Sequence, residues 1–357
     1  MSECSPSTTE NTTSCGTHVI DIQCYLILNS RFQKVLIAVL CIGAGAFCIL
    51  ENILVLCMIW TSARLRRKAS YLFLSSLALA DLFASLIFSY SFVDFHVFHE
   101  AGSPTAFLFK LGVVTTSFTG SLGSLLILAF DRYICIHKPL AYKSLVTRKR
   151  AVLVLFGMWI STIFISYLPL MGWNCCSLLS VCSELFPLVD NRYLAIWITL
   201  VGILLSSIIC FYAHILWKAH SHANDMEKYN KQAAKGQGHM RIDITLAKTL
   251  ALVLIILIVC WSPALIIMIH SLLYSLSRSI KTIFAFCSTL CLVNSMVNPI
   301  IYALRSKELR YKLIKGLKKC KTVMKLSKSE PEVEGAHKNS GFDTGGDDTV
   351  CDTEMSN

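Results

Sequence analysis

Seven long apolar blocks, each bounded by polar or basic residues, set the pattern of this chain: Val35–Trp60, Tyr71–Val97, Ala106–Ile136, Ala151–Trp173, Tyr193–Trp217, Ile244–His270 and Ile280–Leu304. A helix needs about 20 apolar residues to cross roughly 30 Å of hydrocarbon, and every block reaches that length. Backbone polar groups find no water in such a layer, so each block is predicted to be a helix that satisfies its own N–H and C=O groups. The expected fold is an all-α membrane protein, a seven-transmembrane helix bundle over 35–304, preceded by a flexible extracellular N-terminus over 1–34. After it, Leu309, Leu313 and Leu317 recur every four residues among Lys307, Arg310, Lys312, Lys315, Lys318 and Lys319. That pattern predicts a C-terminal amphipathic surface helix over 305–321 on the inner leaflet, with Cys320 as a palmitoylation candidate. Residues 322–357 are acidic and rich in Ser and Thr, cannot build a core, and are expected to be a disordered cytoplasmic tail open to phosphorylation.

Composition agrees with a bilayer as solvent: 54% of the 357 residues are hydrophobic and 15% charged, and the mean hydropathy is +0.59, too apolar for one soluble core to hide. The net charge of +11 comes from short basic runs between blocks, not from an aromatic-interleaved patch of the kind that binds nucleic acid. Those runs follow blocks one, three, five and seven, for example Arg64, Arg66, Arg67 and Lys68, or Arg148, Lys149 and Arg150. Positive loops stay in the cytosol, so the N-terminus is predicted to lie outside and the C-terminus inside. Asn11-Thr12-Thr13 is then a glycosylation sequon on the outer side. No basic start followed by an apolar run marks a cleavable leader before Asn29, and the first span is expected to insert the chain. Most of the 16 cysteines sit inside apolar blocks, where they pack as small hydrophobes.

Polar side chains inside a span are costly and mark function. Asp81 falls about 15 Å into the second block, and Asn52, Asn294 and Asn298 fall at similar depth, with Ser121 a turn or two further out. Asp81, Ser121, Asn294 and Asn298 form a candidate oxygen cluster for an allosteric sodium ion or a water network, with Asn52 in the same layer; no other cofactor is expected. Pro263 and Pro299 each remove a helical hydrogen bond and offer two packings of similar energy. Arg132, between Asp131 and Tyr133 at the inner end of the third block, can reach across to Asp243 at the start of the sixth.

Taken in order, Asn52, Leu77-Ala78-Leu79-Ala80-Asp81, Asp131-Arg132-Tyr133, Trp159, Cys260-Trp261-Ser262-Pro263 and Asn298-Pro299-Ile300-Ile301-Tyr302 place one motif on almost every span. That series resembles the rhodopsin-like G-protein-coupled receptors over Val35–Cys320. The resemblance implies that an outer-side ligand moves helix six and opens a cytosolic groove, with Trp261 sensing ligand and Arg132 and Tyr302 rearranging. It also implies an outer-half pocket. At that level Phe88, Phe92 and Phe95 share one face of span two beside Ser91 and His96, while Val114, Thr115 and Phe118 lie on span three and Trp197, Met268, Phe284 and Ser288 on later spans. Amine receptors resemble this fold but carry an aspartate where Val114 stands. An apolar pocket with a few hydroxyl or amide donors, and Lys110 near its rim, suits a neutral long-chain lipid.

Most relatives also join span three to the second outer loop by a disulfide, yet Phe107 occupies that cysteine's place. Cys175 and Cys182 can bridge within the loop, with Cys176 the competing partner. Together with Trp173-Asn174-Cys175, Cys182-Ser183-Glu184-Leu185-Phe186-Pro187, Trp217-Lys218-Ala219-His220, Phe284-Ala285-Phe286-Cys287 and Tyr302-Ala303-Leu304-Arg305-Ser306, this resembles the cannabinoid receptors. The short N-terminus and Ser166–Trp173 look more like the type 2 branch than type 1. The likeness implies endocannabinoid ligands such as anandamide and 2-arachidonoylglycerol, an inhibitory heterotrimeric G protein that lowers cyclic AMP, receptor kinases and arrestin on the tail, and Phe186 as a further contact. Cys210 stands where the family usually has a tyrosine on span five.

Other classes fit less well. A membrane transporter is expected to show repeated halves and interrupted helices, and neither is visible. A zinc hydrolase needs His and carboxylates at one depth, whereas His96, His99, His214, His220 and His270 lie near span ends. A retinal photoreceptor needs a lysine where Leu292 stands.

Overall fold

The computed structural model describes residues 12–15, 18–21, 25, 28, 30–98, 103–230, 237–305 and 308–315, without side chains over 12–21, 219, 222–230, 237–251 and 302–305. Seven helices are long and apolar enough to cross a membrane: Arg31–Trp60, Ala69–Phe98, Pro104–His137, Arg148–Tyr167, Asn191–Lys218, Leu252–Leu273 and Arg278–Ile301. They are spans one to seven below. Helix continues past the apolar part in span five, to Asn230, and before span six, from Gln237. A short antiparallel hairpin precedes the bundle, with Thr12–Cys15 pairing His18–Asp21. The expected Asn11 and Cys320 sites lie outside the described residues, as do the side chains of Asp243 and Tyr302.

Five blocks match the expected boundaries within a few residues. For span six the helix begins at Gln237, before the expected Ile244, and its membrane-length apolar part at Leu252. Span four stops at Tyr167, six residues before the expected Trp173. Pro169 has no N–H to continue the helical ladder, and Gly172 turns the chain at φ +115°, a conformation that favours glycine. Span two is expected to be regular, but turns widen to π-helix at Ala84–Phe88 and Asp94–Phe98. Such wide turns are frequent at functional sites, and both lie in the half that carries the aromatic stripe.

Spans pack in a closed order, one against two and seven, five against three and six, six against seven. Span three runs through the middle, touching two, four and five. Close approach to span four is possible because Gly120 has no side chain: a Cβ there would stand 3.2 Å from the Trp159 ring. The Trp159 indole donates to Ser76 Oγ at 2.9 Å, and Ser76 pairs with Ser124 at 2.8 Å. One tryptophan thereby ties spans two, three and four. We call the end that bears loop 174–190 the upper end and the end that bears Asp131-Arg132-Tyr133 the lower end.

At the lower end, residues 308–315 are helical, but Leu309 and Leu313 of the expected stripe pack against protein, and Leu317 lies outside the described residues. Leu309 is fully buried with Val55, Ile59, Leu65 and Leu74, and Leu313 packs on the same cluster. The outward residues are Tyr311 and Ile314. Apolar surface is buried against protein here because Leu65, in the short helix Ala63–Arg67, offers it a partner. Glu308 fixes the docking: its carboxylate accepts from Tyr71 Oη at 3.1 Å and faces Lys68 Nζ at 3.2 Å and Arg64 Nε at 3.5 Å. Truncating a fully buried leucine costs about 2–5 kcal/mol. Leu309→Ala is therefore expected to lower the thermal midpoint of the purified protein by several degrees, and Tyr311→Ala, at a side chain 67% exposed, to leave it unchanged. Equal shifts would contradict the docked geometry.

Candidate functional site: an apolar cavity above a polar layer

A cavity of about 180 Å³ opens between the upper halves of spans two, three, five, six and seven. Every residue expected at this level from the sequence lines it. Span two contributes Phe88, Ser91, Phe92, Phe95 and His96, and span three Lys110, Val114, Thr115 and Phe118. The remainder are Phe186 from the loop, Trp197 from span five, Trp261 and Met268 from six, and Phe284 and Ser288 from seven. Leu111, Leu194, Ala264 and Cys291 also line it; each lies three or four residues from an expected contact, so helical spacing points to them. Leu185, Pro187 and Val189 follow no period, because they sit in an irregular loop.

Aromatic rings form a continuous path down the cavity. Phe92 stacks on Phe88 at 4.9 Å between centroids, Phe88 meets Phe118 edge-on at 5.5 Å, and Phe118 meets Trp261 edge-on at 5.7 Å. On the opposite wall Phe186 meets Phe284 edge-on at 5.7 Å. Edge-on pairing sets the positive edge of one ring against the negative face of another, so these contacts add direction to the burial. Polar groups are few and mostly engaged. Thr115 donates to Leu111 O at 2.9 Å, Ser288 to Phe284 O at 2.8 Å, and Trp197 Nε1 to Thr119 Oγ1 at 3.1 Å. Two buried groups, Ser91 Oγ and Trp261 Nε1, have no hydrogen-bond partner among the described residues.

Lys110, expected near the rim, lines the cavity as one half of an ion pair. Its ammonium lies 2.6 Å from Asp94 Oδ2 and 5.2 Å from the centre of the Tyr90 ring. The partner was legible in principle, as an acidic residue near the end of span two, and the widened turn beginning at Asp94 brings it to the cavity wall.

Loop 174–190 covers the mouth. Cys175 and Cys182 form the expected disulfide, and Cys176, the competing partner, is also disulfide-bonded. Asn174 pairs with Val189, and Cys182 with Asp190, as isolated bridges. Asp190 caps span five: it accepts from Arg192 N at 2.7 Å and Tyr193 N at 3.2 Å, and from the Ser180 hydroxyl. Burial pushes its pKa up, but those three hydrogen bonds together hold it below the usual carboxylate range. Tyr25 crosses the loop and donates to Ser183 O at 3.0 Å; burial and then the charge of Glu184 raise its pKa to about 12. Glu184 in turn accepts from Leu276 N at 2.7 Å and faces Lys281 Nζ at 3.5 Å, tying the loop to the start of span seven.

Below the cavity lies the polar layer. Asp81 is fully buried; Oδ1 accepts from Ser121 at 2.6 Å and Ser295 at 2.8 Å, and Oδ2 from Asn298 Nδ2 at 3.0 Å. Of the expected cluster, Asp81, Ser121 and Asn298 are joined by hydrogen bonds, with the span-seven contribution turned by one residue. Ser295, three residues from Asn298 and hence on its face, takes the place expected of the neighbouring, also buried Asn294. Asn52 is buried at this depth but donates along its own helix, to Cys48 O at 2.9 Å. At the lower end Arg132 lies 2.9 Å from Asp131, whose carboxylate also accepts from Ser70 at 2.9 Å and Tyr142 at 2.8 Å. Tyr133 stacks on His137 at 4.1 Å. Pro263 and Pro299 both lie inside continuous helices.

Comparison with known proteins gives the same class. Residues 51–302 match the family described as 7 transmembrane receptor (rhodopsin family). The chain is 49% identical over 346 residues to cannabinoid receptor 1 of Xenopus laevis, covering 93% of this chain and 73% of that one. It is 52% identical over 310 residues to cannabinoid receptor 2 of Mus musculus, covering 87% and 88%, and 50% identical over 310 residues to cannabinoid receptor 2 of Homo sapiens, covering 87% and 85%. The chain belongs to the rhodopsin-family seven-transmembrane receptors and, within them, to the cannabinoid receptors, which are not enzymes. Identity is similar to both types and does not separate them.

Removing either partner of the Lys110–Asp94 pair strands a half-buried charge at the cavity wall, so Lys110→Gln and Asp94→Asn are each expected to weaken binding of a neutral ligand, and the double variant to lose less than the sum of the two. Saturation binding on membranes checks this, and additive losses would contradict the pairing. Cys182→Ser should accelerate ligand dissociation or lower expression, and unchanged behaviour in both would remove the loop disulfide from the site.

Proposed function

We propose that this chain is a receptor for neutral endocannabinoid lipids, of the kind of anandamide and 2-arachidonoylglycerol, that couples to inhibitory heterotrimeric G proteins and lowers cyclic AMP. The observation that supports it most is the charge of the cavity. Its walls are aromatic and aliphatic, Val114 stands where a cationic ligand would need a carboxylate, and the acidic group at the wall, Asp94, is neutralised by Lys110. A long acyl chain gains about 0.8 kcal/mol for each CH₂ it buries, while Ser91 Oγ, which has no hydrogen-bond partner among the described residues, is available to a hydroxyl or amide headgroup.

On this reading the termini lie as the charge pattern predicts, outside for the N-terminus and cytosolic for the C-terminus. Ligand pressing on Phe118 turns the Trp261 ring that meets it edge-on. Span six, weakened in its ladder by Pro263, moves at its lower end away from span three. Arg132, with Tyr133, Asp243, Asn298, Pro299 and Tyr302, then rearranges to admit the G protein. A hydrated sodium ion fits the oxygen donors of Asp81, Ser121 and Ser295 and would favour the packing in which spans two, three and seven stay joined. Glycosylation at Asn11, palmitoylation at Cys320 and phosphorylation of the tail, with receptor kinases and arrestin as partners, belong to the same reading.

Cells that express the chain are expected to lower forskolin-raised cyclic AMP in response to a cannabinoid agonist, and silence across G-protein readouts would reject the signalling role. Trp261→Ala should reduce the maximal response far more than it reduces agonist affinity. Parallel losses in both would mean that the ring only packs.

A further inference from the structure

The close approach of spans three and four fixes which side chains meet between them. A Cβ at Gly112 would stand 2.9 Å from the Tyr167 ring, and one at Gly120 would stand 3.2 Å from the Trp159 ring. The distance in sequence from one glycine to the other on span three thus matches that from one ring to the other on span four. Thr116 lies midway between the glycines, one turn from each, and shares their face. Midway between Trp159 and Tyr167, the side chains that turn inward from span four are Thr162 and Ser166, since Ile163 is exposed. Thr116, Thr162 and Ser166 are 9%, 5% and 2% exposed.

Hydrogen bonding sets these hydroxyls apart from their neighbours. Thr115, Ser117 and Ser161 each donate to a carbonyl of their own helix one turn back, at 2.9, 2.8 and 2.9 Å. Thr162 donates to Met158 Sδ at 3.7 Å, while Thr116 Oγ1 and Ser166 Oγ have no hydrogen-bond partner among the described residues. A hydroxyl carries one donor and two acceptor sites, and burying it unmet is unfavourable. Two such groups, brought from different helices to one height beside a third hydroxyl, match a water molecule, which makes about three hydrogen bonds when buried.

We propose that Thr116, Ser166 and Thr162 form a binding site for one structural water that joins spans three and four. The water accepts from Thr116 Oγ1 and donates to Ser166 Oγ and to Thr162 Oγ1, whose own proton goes to Met158. The site lies directly behind the cavity wall. Thr115, the next residue on span three, lines the cavity and meets the side chain of Tyr193, whose hydroxyl donates to Ile165 O at 3.2 Å, beside Ser166. Tyr193 and the water therefore clasp one stretch of span four to span three from two sides. Thr116 and Ser166 act as positioning residues for Thr115, and the site does not depend on which ligand fills the cavity.

The test separates the hydroxyl from the shape of the side chain. T116V keeps the outline of threonine and removes its oxygen, whereas T116S keeps the oxygen and removes a methyl group. In the purified full chain without ligand, T116V and S166A should each lower the thermal midpoint by about 2–4 °C. T116S should lower it less, and T116V/S166A no further than the worse single variant. A density map that shows ordered water should carry a peak at about 2.7–3.2 Å from both Thr116 Oγ1 and Ser166 Oγ, lost in T116V/S166A. Affinity for a labelled cannabinoid agonist should fall about threefold in T116V and S166A and stay unchanged in T116S. T116S as harmful as T116V, additive losses in the double variant, affinity unaltered in T116V and S166A, or a map in which the two hydroxyls bond each other or their own backbone with no peak between them would overturn the proposal. A wild-type chain that fails to bind the agonist would instead reject the proposed ligand class, and the thermal and density results would still decide the water site.

Discussion

A carboxyl group in the middle of a hydrocarbon layer has to find its hydrogen bonds in protein, because an unmet polar atom there costs several kcal/mol. Asp81 finds three, from Ser121, Ser295 and Asn298. That requirement brings spans two, three and seven to one point. Trp159 does the same for spans two, three and four through Ser76 and Ser124. Hydrophobicity alone directs little between helices in lipid, since a neighbouring acyl chain is as apolar as a leucine. These polar joints are what choose one arrangement of the seven helices.

The cavity follows from where the joints stop. Above the Asp81 layer the bundle is held by loop 174–190, through its disulfide, the Glu184 contacts and Tyr25, and the space between is walled by rings. Phe118 and Trp261 form its floor, one on the central helix and one on the helix that carries Pro263. Cavity and polar layer therefore share spans two, three and seven.

Legibility in the sequence divided along physical lines. Spans are long, uniform and read by length alone, and the aromatic face of span two survived as read because its residues recur at helical spacing. Span four was misplaced because hydropathy continues through Pro169 to Trp173 while the backbone does not. Asn294 was preferred over Ser295 because an amide is the more conspicuous side chain, whereas rotation about the helix decides who faces Asp81. Asp94 went unnoticed beside Lys110 since pairing across helices leaves no pattern along one of them. The leucines of 308–315 recur at helical spacing and these residues are helical, but periodicity cannot distinguish a face that meets lipid from one that meets Leu65. Loop contacts such as Leu185 and Val189 had no signal other than the likeness to a known family.

The central claim is that a neutral lipid in the upper cavity and the lower end of span six are mechanically joined through Phe118 and Trp261. The direct measurement is an electron–electron distance between spin labels at the lower ends of spans three and six, in nanodiscs, with and without a saturating neutral lipid agonist. The account predicts a longer distance population that grows with agonist and is largely lost in Trp261→Ala while agonist remains bound. An unchanged distance distribution with the cavity demonstrably occupied would contradict it.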